Sequence, residues 1–581
     1  MSISPAARAT FRQPWAVAAA VATVALAATM GAVLGNFLVN GKAGAAIGAS
    51  AGYVPASAVT YVEARLDLPD GQRAALEQLL GRFDGITVDD VIGAGLGEKI
   101  DQLLSESGVE HTYTDEIAPW FDGSVAFALL DANAVSPAGL MGPLGGMGMS
   151  ELPSALVLLG TRDPAATTAF LDDLRGEAEA KGATTSSESH AGATIWSISD
   201  VASEGGMGGT APSGGAYAVS GDHLLIGVSA DDVRTALDVH SGSVDSFAER
   251  ADVQAAVAKL PSDRVATLVA DAAPVVAAMR DALTELMPEL DAVADVYASG
   301  LSMLQVGSLR FEDDRVVADG VGTMPSRGMS NSQRSLAEAI PADSLVYVDG
   351  TGIGAYLADL IGAAKEAAAA AGEESTVAQV EGILGADIEA FVSWIDQAAV
   401  TVGWDGSEPW GGFVIVPTST DEAQLRLGQL KALAGLAGMA GGGVPLTVTE
   451  EEVDGVTVTR FAVSEMGMDV AFEYAVADGR VLIGFGDTFI ARVLQTDAAS
   501  SLATNERFAA ALDEVGGASG TSLVWADLDG LRQSAENAIP SDQRSEYDEK
   551  AAPWVEPLDT LIGVMRVEGD SVISQGALIT K

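Results

Sequence analysis

The sequence predicts an α+β fold: a tandem duplication of a mainly antiparallel-sheet unit with helices, preceded by one transmembrane helix. Three observations predict it. A hairpin-plus-helix block, Tyr217 to Leu237, recurs without a gap at Tyr474 to Leu494, at a constant offset (474 − 217 = 257; 494 − 237 = 257). Six further blocks recur in the same order on either side of it, and self-similarity of this length marks a repeated structural unit. Ala16 to Val39 is an uncharged stretch of 24 residues, longer than the ~20 needed to cross ~30 Å of hydrocarbon.

Arg8 and Arg12 precede the apolar stretch, so the positive flank predicts residues 1–14 in the cytoplasm, 15–39 as an uncleaved membrane helix and the rest outside the plasma membrane. Cleavage at Ala43-Gly44-Ala45 or Ala49-Ser50-Ala51 is the competing reading, but a signal-peptide core is usually only ~7–15 residues. The Gly/Ala/Ser run over 40–54 reads as a tether.

The first repeat is expected over 55–325. Pro55 to Leu68 is a strand with Tyr61, Val62 and Leu66 as its apolar positions. Asp70 to Phe83 is a helix with Leu76, Leu79, Leu80 and Phe83 on one stripe, and a second helix covers about Glu98 to Ser105. Strands follow at Ser124 to Leu130 and Ala155 to Gly160, with a helix from Pro164 that Asp163 can cap. Ala193 to Ile198 is a strand, and the hairpin turns at Gly221-Asp222, where a type I′ turn needs positive φ. Phe247 to Leu260 reads as one helix and Val265 to Ala270 as a strand. Ala272 to Ala298 reads as a helix broken near Pro288, and a closing hairpin spans Met303 to Val321.

A Ser/Asn/Arg linker is expected over 326–340, and the second repeat over 341–581. Pro341 to Asp349 repeats Pro55 to Glu63, Trp394-Ile395-Asp396 repeats Trp120-Phe121-Asp122, and the strand at Phe413 repeats that at Leu156. Gly455 to Thr459, Leu523 to Asp527 and the closing hairpin at Gly563 complete the series, matching Gly192, Leu268 and Gly307.

The chain carries 31 Lys and Arg against 81 Asp and Glu, a formal net charge of −50. Such a surface repels phosphate backbones, so no nucleic-acid partner is expected. The absence of cysteine excludes disulfides, thiol catalysis and thiolate metal sites. No cofactor or metal is expected, because His111, His190, His223 and His240 show no ligand spacing. His223 corresponds to Arg480 in the second copy and reads as an exposed hairpin residue. Gly48-Ala49-Ser50-Ala51-Gly52 fits G-x-S-x-G, but it lies in the expected tether rather than between a strand and a helix, and reads as chance. Asp271 and Asp527 read as helix caps.

Two sets of residues are candidate contacts. Trp120 with Asp122, and Trp394 with Asp396, recur in both copies; a ring beside a carboxylate could receive a sugar or a cation, although a core Trp with an Asp turn is the commoner arrangement. Met141, Met147, Met149 and Met207 lie in Gly-rich loops that could adapt to an apolar ligand, although tolerated surface insertions are commoner.

The motifs P-A-x-x-x-x-Y-V-E at Pro55, Pro119-Trp120-Phe121-Asp122-Gly123, and Leu156 to Leu159 followed by Asp163-Pro164-Ala165 resemble the bacterial membrane-anchored family called domain of unknown function 3352. The second copy departs from the pattern, with Ser393 in place of Pro119. The resemblance implies an N-terminal anchor carrying an extracytoplasmic body, and brings no activity, substrate or site residues with it. With no well-placed catalytic motif in the chain, the expected role is non-enzymatic, a binding or structural envelope protein with a protein partner. The alternatives are a carrier of a lipid or other apolar ligand, and a hydrolase whose site is not visible as a motif.

Overall fold

In the computed structural model of the chain, residues 47–581 are described apart from 132–153, 200–213, 287–303, 324–329, 371–376, 440–445 and gaps of one to four residues. The expected membrane helix, the Met/Gly loops with Met141, Met147, Met149 and Met207, and the end of the helix expected to reach Ala298 lie outside the described residues. Among those described, no helix is long and apolar enough to cross a membrane. The chain divides into two compact units, one of residues 1–282 with 301–323, the other of 283–300 with 324–581.

The described strands of the first unit are β1 (Thr60–Arg65), β2 (Phe121–Leu129), β3 (Ala155–Thr161), β4 (Thr184–His190), β5 (Ala193–Ser199), β6 (Gly214–Ser220), β7 (His223–Gly227), β8 (Ala266–Asp271), β9 (Leu304–Glu312) and β10 (Arg315–Gly322). Every pairing is antiparallel, in the order 10-9-8-1-2-3-7-6-5-4. One face of the sheet buries Val125, Val157, Leu159, Tyr217 and Leu224 against Leu171 of the helix Pro164–Ala180. That helix starts as expected, with Asp163 accepting from the Ala165 and Ala166 amides. The opposite face carries Tyr61 and packs on Phe247, at 5.5 Å between ring centroids, and on the helix Ala230–His240.

The second unit opens with a two-residue strand, β11 (Ser332–Gln333), and continues with β12 (Ser344–Thr351), β13 (Ile395–Asp405), β14 (Glu408–Pro417), β15 (Leu446–Val453), β16 (Val456–Glu465), β17 (Met468–Ala477), β18 (Arg480–Phe485), β19 (Ser519–Gly520), β20 (Ser522–Asp527), β21 (Leu558–Glu568) and β22 (Ser571–Thr580). β11 and β19 pair with each other. The others form an antiparallel sheet in the order 22-21-20-12-13-14-18-17-16-15. Position by position this is the order of the first sheet. Its main core gathers Tyr347, Val414, Leu482, Trp525 and Ile562 with Phe489 and Phe508.

Several expectations give way to local physics. β4 and its counterpart β15 were not expected, because Thr184 to His190 is polar throughout and mostly exposed, as suits an edge strand with no apolar alternation. Phe247 to Leu260 is not one helix: Arg250 is extended at φ −60° and ψ 114°, separating a 3₁₀ turn from the helix Ala251–Val257. The turn at Asp478-Gly479 has positive φ at both positions, as type I′ requires, whereas at Gly221-Asp222 only Gly221 does, the pattern of type II′.

The largest difference concerns the two stretches expected to be unstructured. Ala49–Tyr53, in the expected tether, is a 3₁₀ turn with Ser50, Ala51 and Tyr53 buried. Ser335–Ala339, in the expected linker, is likewise a 3₁₀ turn with Leu336, Ala337 and Ala339 buried. The two are 286 residues apart (335 − 49), the offset that relates Tyr61 to Tyr347. Small residues there signal close packing rather than flexibility.

Candidate functional site

The 3₁₀ turn at Ala49–Tyr53 lies on the sheet face that carries Tyr61, Glu63 and His223. Gly48 N donates to both oxygens of Glu63, at 3.0 and 2.8 Å, and the Tyr61 hydroxyl donates to Glu63 Oε2 at 2.7 Å. Burial raises the Glu63 carboxyl, against the hydrogen bonds from Tyr61 and Gly48. Burial and the neighbouring Glu63 carry the Tyr61 phenol well above its ordinary range.

Two residues further along, Ser50 Oγ lies 3.0 Å from His223 Nε2, and His223 Nδ1 lies 2.7 Å from Asp222 Oδ1. Tyr53 stacks on His240 at 4.1 Å, and its hydroxyl donates to the Ser220 carbonyl at 2.8 Å. His223 is therefore buried, not the exposed hairpin residue expected, because the turn at 49–53 covers it. The G-x-S-x-G motif, read as chance, places its serine in a Ser–His–Asp line.

The order of atoms matches a nucleophilic triad, but the burial runs the other way. A triad exposes its serine to substrate and buries the acid that orients the imidazole. Here the Asp222 side chain is 75% exposed and that of His223 only 5%, while Ser50 is buried. The Ala51 amide, which would face an oxyanion in a nucleophile elbow, donates to the Gly48 carbonyl at 3.2 Å. The arrangement fastens the start of the folded unit to its sheet.

The second unit fills the same place differently. Arg334, at the position of Gly48, pairs with buried Asp349, and Tyr347 donates to Asp349 at 2.8 Å. Burial raises the Asp349 carboxyl, and Arg334 opposes it. Leu336 stands for Ser50 and Arg480 for His223. Sequence comparison between the two units pairs these residues once the offset of 286 is carried back past Pro55; the Gly/Ala/Ser composition hid it.

The Trp–Asp pairs do not form ring platforms. Trp120 and Trp394 are buried, Trp120 against Phe170 at 5.9 Å, and Trp394 Nε1 donates to the Phe391 carbonyl at 2.8 Å. Asp122 turns onto its own strand, accepting from Ser124 N at 2.7 Å and Ser124 Oγ at 2.6 Å. The Asp396 carbonyl accepts from Gly352 N at 2.7 Å. Asp271 and Asp527 cap helices as expected, accepting from Ala273 N and Gly530 N. Arg250 and Arg507 pair with them.

A second feature had no sequence signal. Among the described residues, six large apolar side chains on strands are more than a third exposed, and five belong to the second unit: Trp404 (39%), Phe472 (40%), Phe485 (55%), Val524 (43%) and Leu561 (41%). Register places all five on one face. Leu561 pairs with Ala526, Ala526 with Val346, Val346 with Val402, Val402 with Gly411, Gly411 with Phe485, and Phe485 with Phe472. Directly paired residues share a face, as do Trp404 and Val402, two apart on β13. The adjoining row, from Gly563 and Val524 to Tyr474, is also uncharged. The helix Thr420–Met439 covers this face only in part, through Ala423 and Leu427 against Ile415 and Val481. Among the described residues, the one large apolar side chain exposed on the corresponding face of the first unit is Leu268, at 37%.

Comparison with known proteins adds the following. No curated protein matches the chain. The crystal form I structure of TP0453 aligns at 10% identity over 42% of this chain and 92% of that chain, with a TM-score of 0.19. The profile of the family described as protein of unknown function (DUF3352) matches residues 16–571, so the chain belongs to that family, as its strand-start and Trp-Phe-Asp motifs imply.

Proposed function

We propose that the protein is a non-enzymatic binding protein of the cell envelope: a tandem duplication anchored in the plasma membrane by residues 15–39, its body outside. The observation that carries the binding role is the uncharged, half-exposed sheet face of the second unit, since contiguous exposed apolar surface marks an interaction site. Seven sequence blocks in one order, together with the equal strand order of the two units, support duplication. Division of labour follows: the first repeat fastens the chain at Gly48 to Tyr53 and, among the described residues, exposes one large apolar strand side chain on the equivalent face, whereas the second exposes five. If the anchor ends near Val39, only about eight residues separate it from Gly48, a reach of at most ~28 Å. The body then stands close to the bilayer.

The test uses the full chain in membranes of its own host. A photo-crosslinking amino acid at Phe485 is expected to capture a bound molecule, and one at the exposed helix residue Asp172 is not. A serine-directed phosphonate is expected to leave Ser50 unmodified. Labelling at Ser50 that Ser50→Ala abolishes, together with turnover of an ester substrate, would replace the binding role by the hydrolase reading.

A further inference from the structure

The binding reading names a surface; its chemistry names an occupant. We propose that the open face of the second unit binds the hydrocarbon chain of a lipid, laid across the strands between Leu561 and Phe472. The inference rests on the binding reading and makes it specific.

Charge comes first. The chain has a net charge of −50, so a protein partner selected by charge complementarity would bring basic side chains. The two cross-strand rows from β21 to β17 contain only Gly, Ala, Val, Ile, Leu, Phe and Tyr. They offer such a partner no carboxylate. A second copy is disfavoured by repulsion between two bodies of the same large charge.

Dimension comes second. Leu561 on β21 and Phe472 on β17 are six strand spacings apart, about 29 Å at ~4.8 Å each. A bilayer core of ~30 Å is filled by two opposed acyl chains, so one extended chain, roughly half that length, is seated wholly within the strip. Composition of the strip comes third. Phe413 meets Phe485 edge-on at 5.9 Å, and Phe472 stacks on Phe461 at 4.6 Å. Aromatic edges and faces beside β-branched Val524 give a ridged apolar floor. Such a floor suits a flexible methylene chain, which gains ~25 cal/mol for each Å² of apolar surface removed from water.

The experiment incubates the full chain, in nanodiscs, with a palmitate carrying a mid-chain diazirine, and maps the photo-adducts by peptide mass spectrometry. Adducts are expected on the peptides containing Phe472, Phe485, Val524 or Leu561. The double variant Phe472→Ser/Phe485→Ser is expected to cut their yield at least tenfold. These side chains are exposed, so the variant is expected to keep its fold, checked by an unchanged thermal midpoint. Leu268→Ser on the first unit is expected to change nothing. Adducts confined to residues 15–39, or a yield indifferent to the double variant, would overturn the lipid proposal. Capture of an envelope protein by the crosslinker at Phe485, with no palmitate adduct there, would overturn the proposal and leave the binding reading standing. Neither capture nor adduct would overturn both.

Discussion

At the scale of single residues, the buried polar groups are invested in holding the fold. Asp529 shows this most directly. Burial alone would raise its carboxyl, but hydrogen bonds and charge from Lys581 and Arg532 overcome burial and hold it at about 2. Lys581 Nζ and Arg532 Nη2 lie 2.6 and 2.7 Å from Asp529 Oδ1. A carboxyl lowered on folding stabilises the native state above its unfolded value and loses that contribution as pH falls through its folded value. The contribution, on the order of 2 kcal/mol, is therefore present above about pH 4 and lost between about pH 4 and pH 2. Thermal melts of Asp529→Asn are expected to show a lower midpoint at pH 6 and a flatter profile over that acid window. Equal pH slopes in the variant and the native chain would show that these pairs contribute nothing.

The elements show where small residues matter. Gly412 in β14 is one such place: a Cβ there would stand 2.2 Å from the Ile483 carbonyl oxygen and 2.5 Å from Phe489 Cδ1. Backbone on one side and a fully buried ring on the other leave nothing free to shift. Gly412→Ala is expected to cost about 3 kcal/mol in chemical denaturation. By contrast, the Cβ of Gly176→Ala, on the helix Pro164–Ala180, would meet nothing within 4 Å, and this change is expected to be neutral or slightly stabilising. The same reasoning covers the turn at Ala49–Tyr53. Glycine, alanine and serine there permit close approach to the sheet, although the same composition in isolation reads as a tether.

For the whole molecule, charge dominates. A formal charge of −50 over 581 residues makes self-repulsion a standing cost of compaction. Added salt shortens the screening length from ~30 Å at 0.01 M to ~3 Å at 1 M. The thermal midpoint is expected to rise by about 5 °C over that range in sodium chloride. A fall instead would show that the surface ion pairs outweigh repulsion. The same charge argument favours an uncharged occupant on the second unit's open face.

Much of this architecture is legible in the chain itself. Hairpins, capped helices and the order of matched blocks depend on short-range rules: positive φ at Asp478-Gly479, Asp163 ahead of Pro164, alternation along strands. Those rules act within a few residues, so the sequence by itself determined the α+β class, the antiparallel pairing and the membership of the family. The tertiary structure alone decided the rest. Ser50 meets His223 across 173 residues, and Glu63 turns its carboxylate to Gly48. Phe472, Phe485, Val524 and Leu561 gather on one face only because β20 and β21 pair on the far side of β12. Such meetings depend on strand order and on what a neighbouring helix leaves uncovered, and no local pattern of residues encodes either.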